Sequence, residues 1–371
     1  MKLAKLLDVL RELAPESLAE SWDQVGLHVG VSTRQVGRAL LCIDLTWAVL
    51  EEAIAKRCQL IVAYHPPIFT PLDRLTDAKD KERLILTAAE RKIALYSPHT
   101  ALDAAREGVN DWLVQAAGPG CFVPITPGAE QSLLRKVVVF VPVDAADRVS
   151  QAMTQAGAGQ QGDYSDCVYE TQGIGQFRPN DRANPALGQA GQLQRVTEKR
   201  LEMLVAEDKL TGVMRAMRQT HPYEEPAFDI LPRQGEPMGQ APGVGAGRVG
   251  DLDQPIAMKT LVTRIKKHLG VKHLEVAPAS GQRTIRRLAV CPGAGGSLLP
   301  KAGAVDAYLT GEMRHHDVLA AVQSGTTVIL AGHTQTERPY LKVYRQRLRQ
   351  AVGGAVDWHL SRADRPPSAQ V

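Results

Sequence analysis

Four side chains in this sequence have the types and positions to hold metal ions. His65 follows Tyr64 and precedes Pro66-Pro67, Asp103 ends the segment His99-Thr100-Ala101-Leu102-Asp103, and the run VILAG leads into His333, with Glu337 four residues on. Each follows a short apolar run of strand character, and open α/β sheets collect functional groups at the carboxyl ends of their strands. Imidazole nitrogens and carboxylate oxygens together suit zinc, iron or manganese. Glu337 is expected in the first turn of a helix, where the positive end of the helix dipole favours a carboxylate. Pro339 is tolerated there because early helical N–H groups have no intrahelical partner. Glu337 or Asp103 can bridge two ions, and a water between such ions loses its proton near neutral pH and becomes a nucleophile. Taken singly, each residue fits a hydrogen-bonded structural role better than a ligand. The coincidence of all four at strand ends brings the two readings level.

The elements that must position these groups alternate. ALLCIDLT (39–46), QLIVAYH (59–65) and KIALYSPHT (92–100) read as strands, with the helical spacing of WAVLEEAIAKR and DKERLILTAAERK between them. TIRRLAV (284–290), VDAYLT (305–310), TTVILAGH (326–333) and AVDWHLS (355–361) repeat the style, with RHHDVLAAVQ and ERPYLKVYRQRLRQAV as helices. Continuous apolar strands alternating with helices predict an α/β core in two parts, with largely parallel, covered sheets. The middle of the chain differs: its order β-α-β-β-α-β suits an inserted α+β, ferredoxin-like domain. The expected division is 1–132 for the first half of the core, 133–232 for the insert and 233–371 for a linker and the second half. The loops TPGAEQS (126–132) and RQGEPMGQAPGVGAG (233–247) bracket the insert.

Composition excludes several classes of function. A net charge of +4 with no basic run argues against a nucleic-acid partner. The 5 cysteines, Cys42, Cys58, Cys121, Cys167 and Cys291, form no CxxC pair; this argues against a disulfide framework or a thiolate zinc site and for a reducing compartment. The N-terminal segment reads as an amphipathic helix rather than a signal peptide, and no apolar run reaches the ~18 residues of a membrane span. A cytoplasmic protein is expected.

The segments SWDQVGLHVG (21–30), AYHPPIFTPLDRL (63–75), SPHTALDAAREGVNDWL (97–113), LTGEMRHHDVLAA (309–321) and AGHTQTERPYL (331–341) resemble the dinuclear metal-centre family of Nif-three-like proteins, also labelled GTP cyclohydrolase 1 type 2 homologs. The resemblance implies two divalent metal ions held by His65, Asp103, His333 and Glu337. Many bacterial members carry two adjacent histidines where this chain has Tyr64-His65. Tyrosine is a poor ligand, since its phenol titrates near pH ~10; His99 or His315 could compensate. In the middle domain, KVVVFVP, ANPALG and HPYEEPAFDI are similar to the CutA- and P-II-like insert of longer members. That implies a homo-oligomer, a hexamer with trimer contacts through the insert. The resemblance also implies a metal-dependent hydrolase acting on a small molecule such as a nucleotide, with opening of the guanine imidazole ring of GTP as the named chemistry. The alternative is a non-enzymatic metal-delivery protein or regulatory scaffold.

Other signals carry less. GAGRVG (245–250) fits a dinucleotide-binding pattern but follows no convincing strand, so it reads as the return from the insert. CPGAGGS (291–297) is either a tight turn or a backbone cradle for a substrate phosphate. Glu312 or His315 reads as either a pocket group or part of a surface helix start. Trp22 and Asp23 are expected to support the fold or the pocket edge. His268, His273 and His359 read as structural or exposed. His221, Tyr223, Glu224 and Glu225 read as a turn and a solvated strand start.

Overall fold

The computed structural model describes residues 1–128, 134–161, 164–232, 243–281 and 283–367. The chain divides into two compact units, Met1–Glu130 with Gly239–Val371, and Gln131–Met238. The boundaries expected at 133 and 233 fall outside the described residues.

In the first unit, one sheet has five strands in the order Gly26–Val29, Ala94–Ser97, Leu60–Ala63, Arg38–Cys42 and Asp357–Leu360. The last four are mutually parallel, and only Gly26–Val29 runs antiparallel. Successive side chains point to opposite faces. Leu41, Leu60 and Val62 therefore pack with Leu3, Leu6 and Leu10 of the helix Leu3–Leu13, while Leu40, Cys42, Ile61 and Ala63 pack with Val49, Leu50 and Ile85. Helices cover both faces, and that is why these strands read as unbroken apolar runs.

The second sheet has six strands in the order Glu275–Ala277, Thr327–Leu330, Ala307–Thr310, Thr284–Cys291, Arg248–Ala257 and Gly120–Val123. Its centre is parallel; the three outer pairings are antiparallel, so this sheet is mixed. Arg248–Ala257 is irregular between Asp251 and Ile256, where Pro255 stands, and proline is tolerated in sheets at such bulges. The two flanking segments interleave. Asp357–Leu360 completes the first sheet, and Gly120–Val123 closes the edge of the second.

The second unit runs strand Leu134–Pro142, helix Ala146–Gln155, strand Val168–Phe177, strand Gln194–Ala206, helix Glu207–Thr220 and strand Phe228–Pro232. The sheet is antiparallel, with the fourth strand beside the first and the third between the first and second. This is the ferredoxin-like order. Val137, Val139, Val141, Leu201, Met203 and Val205 alternate inward onto Val149, Met153, Val213 and Met217 of the two helices.

Candidate metal centre

The expected strand ends come together in the first unit. Tyr64 and His65 extend the parallel ladder past Ala63, their amides donating to Cys42 and Ile43 carbonyls. Ala94–Ser97 leads through Pro98 into the helix His99–Ala104, which carries Asp103 on its second turn. Thr327–Leu330 ends at Ala331 and Gly332, whose amides donate to Thr310 and Gly311, and this aims His333. Glu337 stands just before the short 3-10 turn Arg338–Tyr340, which holds Pro339 and runs into the helix Leu341–Val352.

His65, His333 and Glu337 offer ligand atoms that all lie within 4.8 Å of one another. Glu337 is buried, with Oε2 3.4 Å from Nε2 of His65 and Oε1 3.4 Å from Nε2 of His333. Oε2 has no hydrogen-bond partner among the described residues. Such a bare buried oxygen is costly unless something charged meets it. Gly293, at φ +60°, borders the group; a Cβ there would come within 2.7 Å of Glu337 Oε1 and 3.2 Å of His333 Nε2. The donor set, the bare oxygen and the space kept by a glycine all fit a divalent cation.

Each histidine is oriented from behind. Nδ1 of His65 meets Asp44 at 2.9 Å, Nδ1 of His333 meets Glu312 at 3.0 Å, and Nδ1 of His99 meets Asp23 at 2.8 Å. A carboxylate on one ring nitrogen fixes the ring and leaves the other for a metal or a proton. Burial pulls the His65 pKa down, but the Asp44 hydrogen bond at Nδ1 and the charges of Glu337 and Asp44 overcome it and raise it to about 10. Burial would raise Asp44 and Asp23, yet their histidine partners hold both below the ordinary carboxylate value.

Asp103 is not part of the tight trio. Its Oδ1 accepts a hydrogen bond from the Tyr64 hydroxyl, and burial, aided by the Glu337 charge against the pull of His99 and Tyr64, lifts its pKa to about 7. Burial and the neighbouring carboxylates push Tyr64 far above its ordinary value, so it is a neutral donor. His99 joins the group, its ring centroid 5.3 Å from that of His65, while the His65 and His333 rings lie 5.4 Å apart. The His99 backbone has φ +26°, a strained value for a non-glycine residue.

The amides of Gly293 and Gly295 donate to Thr336 and Thr310 hydroxyls at 2.9 and 3.0 Å, so CPGAGGS is a tight turn against the site and not a phosphate cradle built on those two groups. His315 and His316 are exposed at a helix start. His268 packs on Trp112, and His359 pairs with Asp357. Asp44 and the orienting role of Glu312 were missed. The strand Arg38–Cys42 ends before Asp44, but the run ALLCIDLT carries apolar character past it and hides it.

The family model Duf34/NIF3 (NGG1p interacting factor 3) matches residues 1–367. The chain belongs to the Duf34/NIF3 family. It is 34% identical over 338 residues to the "GTP cyclohydrolase 1 type 2 homolog" of Halalkalibacterium halodurans, covering 90% of this chain and 89% of that one. It is 35% identical over 371 residues to "NIF3-like protein 1" of Bos taurus, covering 99% and 92%. The solved structure of a Bacillus cereus protein related to NIF3 superposes with a TM-score of 0.72 at 31% identity, covering 100% of this chain and 99% of that one. A shorter likeness, over 28% of this chain, is to CutA from Archaeoglobus fulgidus at a TM-score of 0.22; the ferredoxin-like order of the insert stands on its own hydrogen bonds. In this member of the Duf34/NIF3 family, all the groups of the candidate centre come from the first unit. No helix among the described residues is long and apolar enough to cross a membrane, and all the cysteines are free.

Proposed function

We propose that this protein binds two divalent metal ions through His65, Asp103, His333 and Glu337 and hydrolyses a nucleotide or a related small molecule. One observation carries the reading. The two oxygens of a single buried carboxylate, Glu337, each face a different imidazole at 3.4 Å. A carboxylate so flanked would hold divalent cations together with the two imidazoles. Asp103 supports it, because Oδ2 accepts no hydrogen bond among the described residues while Tyr64 fixes Oδ1. Two divalent ions at such a site supply Lewis acidity and lower the pKa of water toward neutrality.

The chain's own groups do the rest. Asp44 and Glu312 lock the two rings so that both present Nε2 to Glu337. His99 is held at Nδ1 by Asp23, and its other nitrogen, with no hydrogen bond among the described residues, is placed to move a proton to or from a substrate atom. Trp22 and Phe69 stand exposed beside it, with ring centroids 6.0 Å from Trp22 to His99 and 6.1 Å from Trp22 to Phe69. They offer an apolar wall for a planar base, which supports a nucleotide. The name carried by the bacterial relatives makes GTP the first substrate to test, with hydrolytic opening of its imidazole ring as the reaction. A cytoplasmic homo-oligomer, a hexamer with trimer contacts through the insert, belongs to the same proposal. It is supported by the free cysteines and by the long edge strand Val168–Phe177, whose Tyr169 and Ile174 are exposed.

A second reading, metal delivery or a regulatory scaffold, is favoured by one feature: the hydroxyl of Tyr64 is spent on Asp103, which leaves only three residues in the tight ligand group. Elemental analysis and GTP turnover of the purified protein separate the two. Two ions per chain and turnover lost in Glu337→Gln, together with at least one ion, are expected. Tight, reversible metal binding without turnover selects delivery. Full metal content in Glu337→Gln would sink the bridging role itself.

A further inference from the structure

The insert holds a cavity of about 620 Å³, within the ~300–1,000 Å³ of small-molecule sites. Its floor is the sheet face turned away from the two helices. Phe140, Glu198 and Arg200 alternate with the inward residues Val139, Val141 and Leu201, so they point the other way. The wall is the neighbouring strand, where Gly173 pairs with Glu198 and Thr171 with Arg200. The segment 178–193 closes on itself at a neck: the Gly191 amide donates to the Pro179 carbonyl at 2.8 Å, and Arg178 donates to the Gly191 carbonyl at 3.1 Å. The Asn184 amide then pins the segment to Glu224 at 3.0 Å.

One group in this cavity lacks a partner. Glu198 is only 8% exposed. Its Oε1 accepts the Tyr223 hydroxyl at 2.9 Å, and Oε2 accepts no hydrogen bond among the described residues. Oε2 lies over Gly175, where a Cβ would come within 2.0 Å of it. Tyr223 is itself held, its amide donating to Nδ1 of His221, which meets the Phe140 carbonyl through Nε2. So His221 is buried and supports Tyr223 in the cavity wall, while Glu224 and Glu225 stand exposed in the bend, as a solvated turn would have them. Arg178 and Arg200 also line the cavity, but neither bonds Glu198: Arg200 pairs with Glu202 at 3.0 Å and Arg178 donates to the Gly191 carbonyl at the neck. A carboxylate oxygen open to the cavity repels anions and calls for N–H donors. Phe140, Phe177 and Tyr223 line the space around it, and aromatic faces attract cations.

We propose that the insert cavity binds a small organic cation, a primary ammonium or guanidinium on an apolar or aromatic body, with its head on Glu198 Oε2 and its body against Phe140, Phe177 and Tyr223. The chemistry is independent of the metal centre.

The test is calorimetric titration of the full-length, metal-loaded protein with phenethylamine, with agmatine and with the neutral isostere 2-phenylethanol. An amine is expected to bind at least about tenfold more tightly than the alcohol, the worth of a charge-assisted hydrogen bond. Glu198→Gln removes the charge, and Gly175→Ala drives Oε2 aside; each should lower amine affinity about tenfold or more, with circular dichroism and metal content unchanged. Two different variants acting on one oxygen keep the test valid if either fails to fold. Equal binding of amine and alcohol overturns the proposal, as does unaltered amine binding in both folded variants. Absence of amine binding also overturns it; a changed sedimentation coefficient in Glu198→Gln would then make the cavity an interface between copies of the chain.

Discussion

The metal centre and the insert cavity are built on opposite plans. In the first unit, three imidazoles are each backed by a carboxylate, and what is left to face inward is a set of Nε2 atoms and a bare Glu337 oxygen. Selection there rests on coordination chemistry. In the second unit, one bare carboxylate oxygen faces a cavity of about 620 Å³ walled by rings and by Gly173 and Gly175. Selection there rests on shape and a single charge. The two plans leave different traces in a sequence. Coordination needs particular residue types at strand ends and so produces motifs. A cavity needs side chains to be absent along one strand, which looks like an ordinary glycine-bearing strand.

Damage confined to one region should leave the other intact. Leu201 is fully buried in the insert core. Leu201→Ala is expected to cost about 2–5 kcal/mol, the range for large-to-small core substitutions, read as a lower denaturation midpoint of the insert. None of the metal-centre groups comes from the insert, so metal content should hold. Loss of metal in step with the insert would mean that the two regions unfold as one cooperative system.

Much of the fold was legible because burial on both faces of the parallel strands forces unbroken apolar runs. The insert was legible from the order of its strands and helices. What the sequence hid has physical reasons. Gly120–Val123 is an exposed edge strand, and Arg248–Ala257 carries Asp251, Asp253 and Pro255 within an irregular pairing, so neither shows a clean period. Asp44 sits inside an apolar run that outlasts its strand. Glu198 lies in the alternation of QRVTEKRLEMLVA, where charged residues at every other position, Glu198, Arg200 and Glu202, describe a solvated face equally well. Asp103 stands on a short helix, His99–Ala104, that the apolar run KIALYSPHT does not announce, and its bond to Tyr64 depends on a neighbour 39 positions away in sequence, which no local pattern encodes.

The next effect in size tests whether orientation matters as claimed. Asp44→Asn keeps the shape but removes the charge behind His65. Loss of such a supporting partner typically costs 10–100-fold in metal affinity, and about that loss is expected in a chelator competition, with secondary structure unchanged. The same substitution should leave amine binding at the insert untouched. Unaltered metal affinity would show that the ring of His65 is fixed by packing alone, and the contrast between a charge-built site and a shape-built site would weaken.

The mildest probe is pH. Without metal, burial pulls on His65, but Asp44 and Glu337 win and hold its pKa at about 10, so it is protonated at neutral pH. To coordinate, it must release that proton, and metal affinity therefore rises with pH. One proton displaced per ion means about tenfold per pH unit from roughly pH 7 to pH 10. Asp103, lifted by burial to about 7, is protonated below that value and must shed a second proton. The slope should therefore approach about two decades per unit below pH 7 and flatten above about pH 10. Competition titrations at several pH values measure this directly. A level profile between pH 7 and pH 9 would remove His65 from the ligand set. A single slope through pH 7 would remove Asp103 alone, leaving a three-residue site that suits delivery better than catalysis.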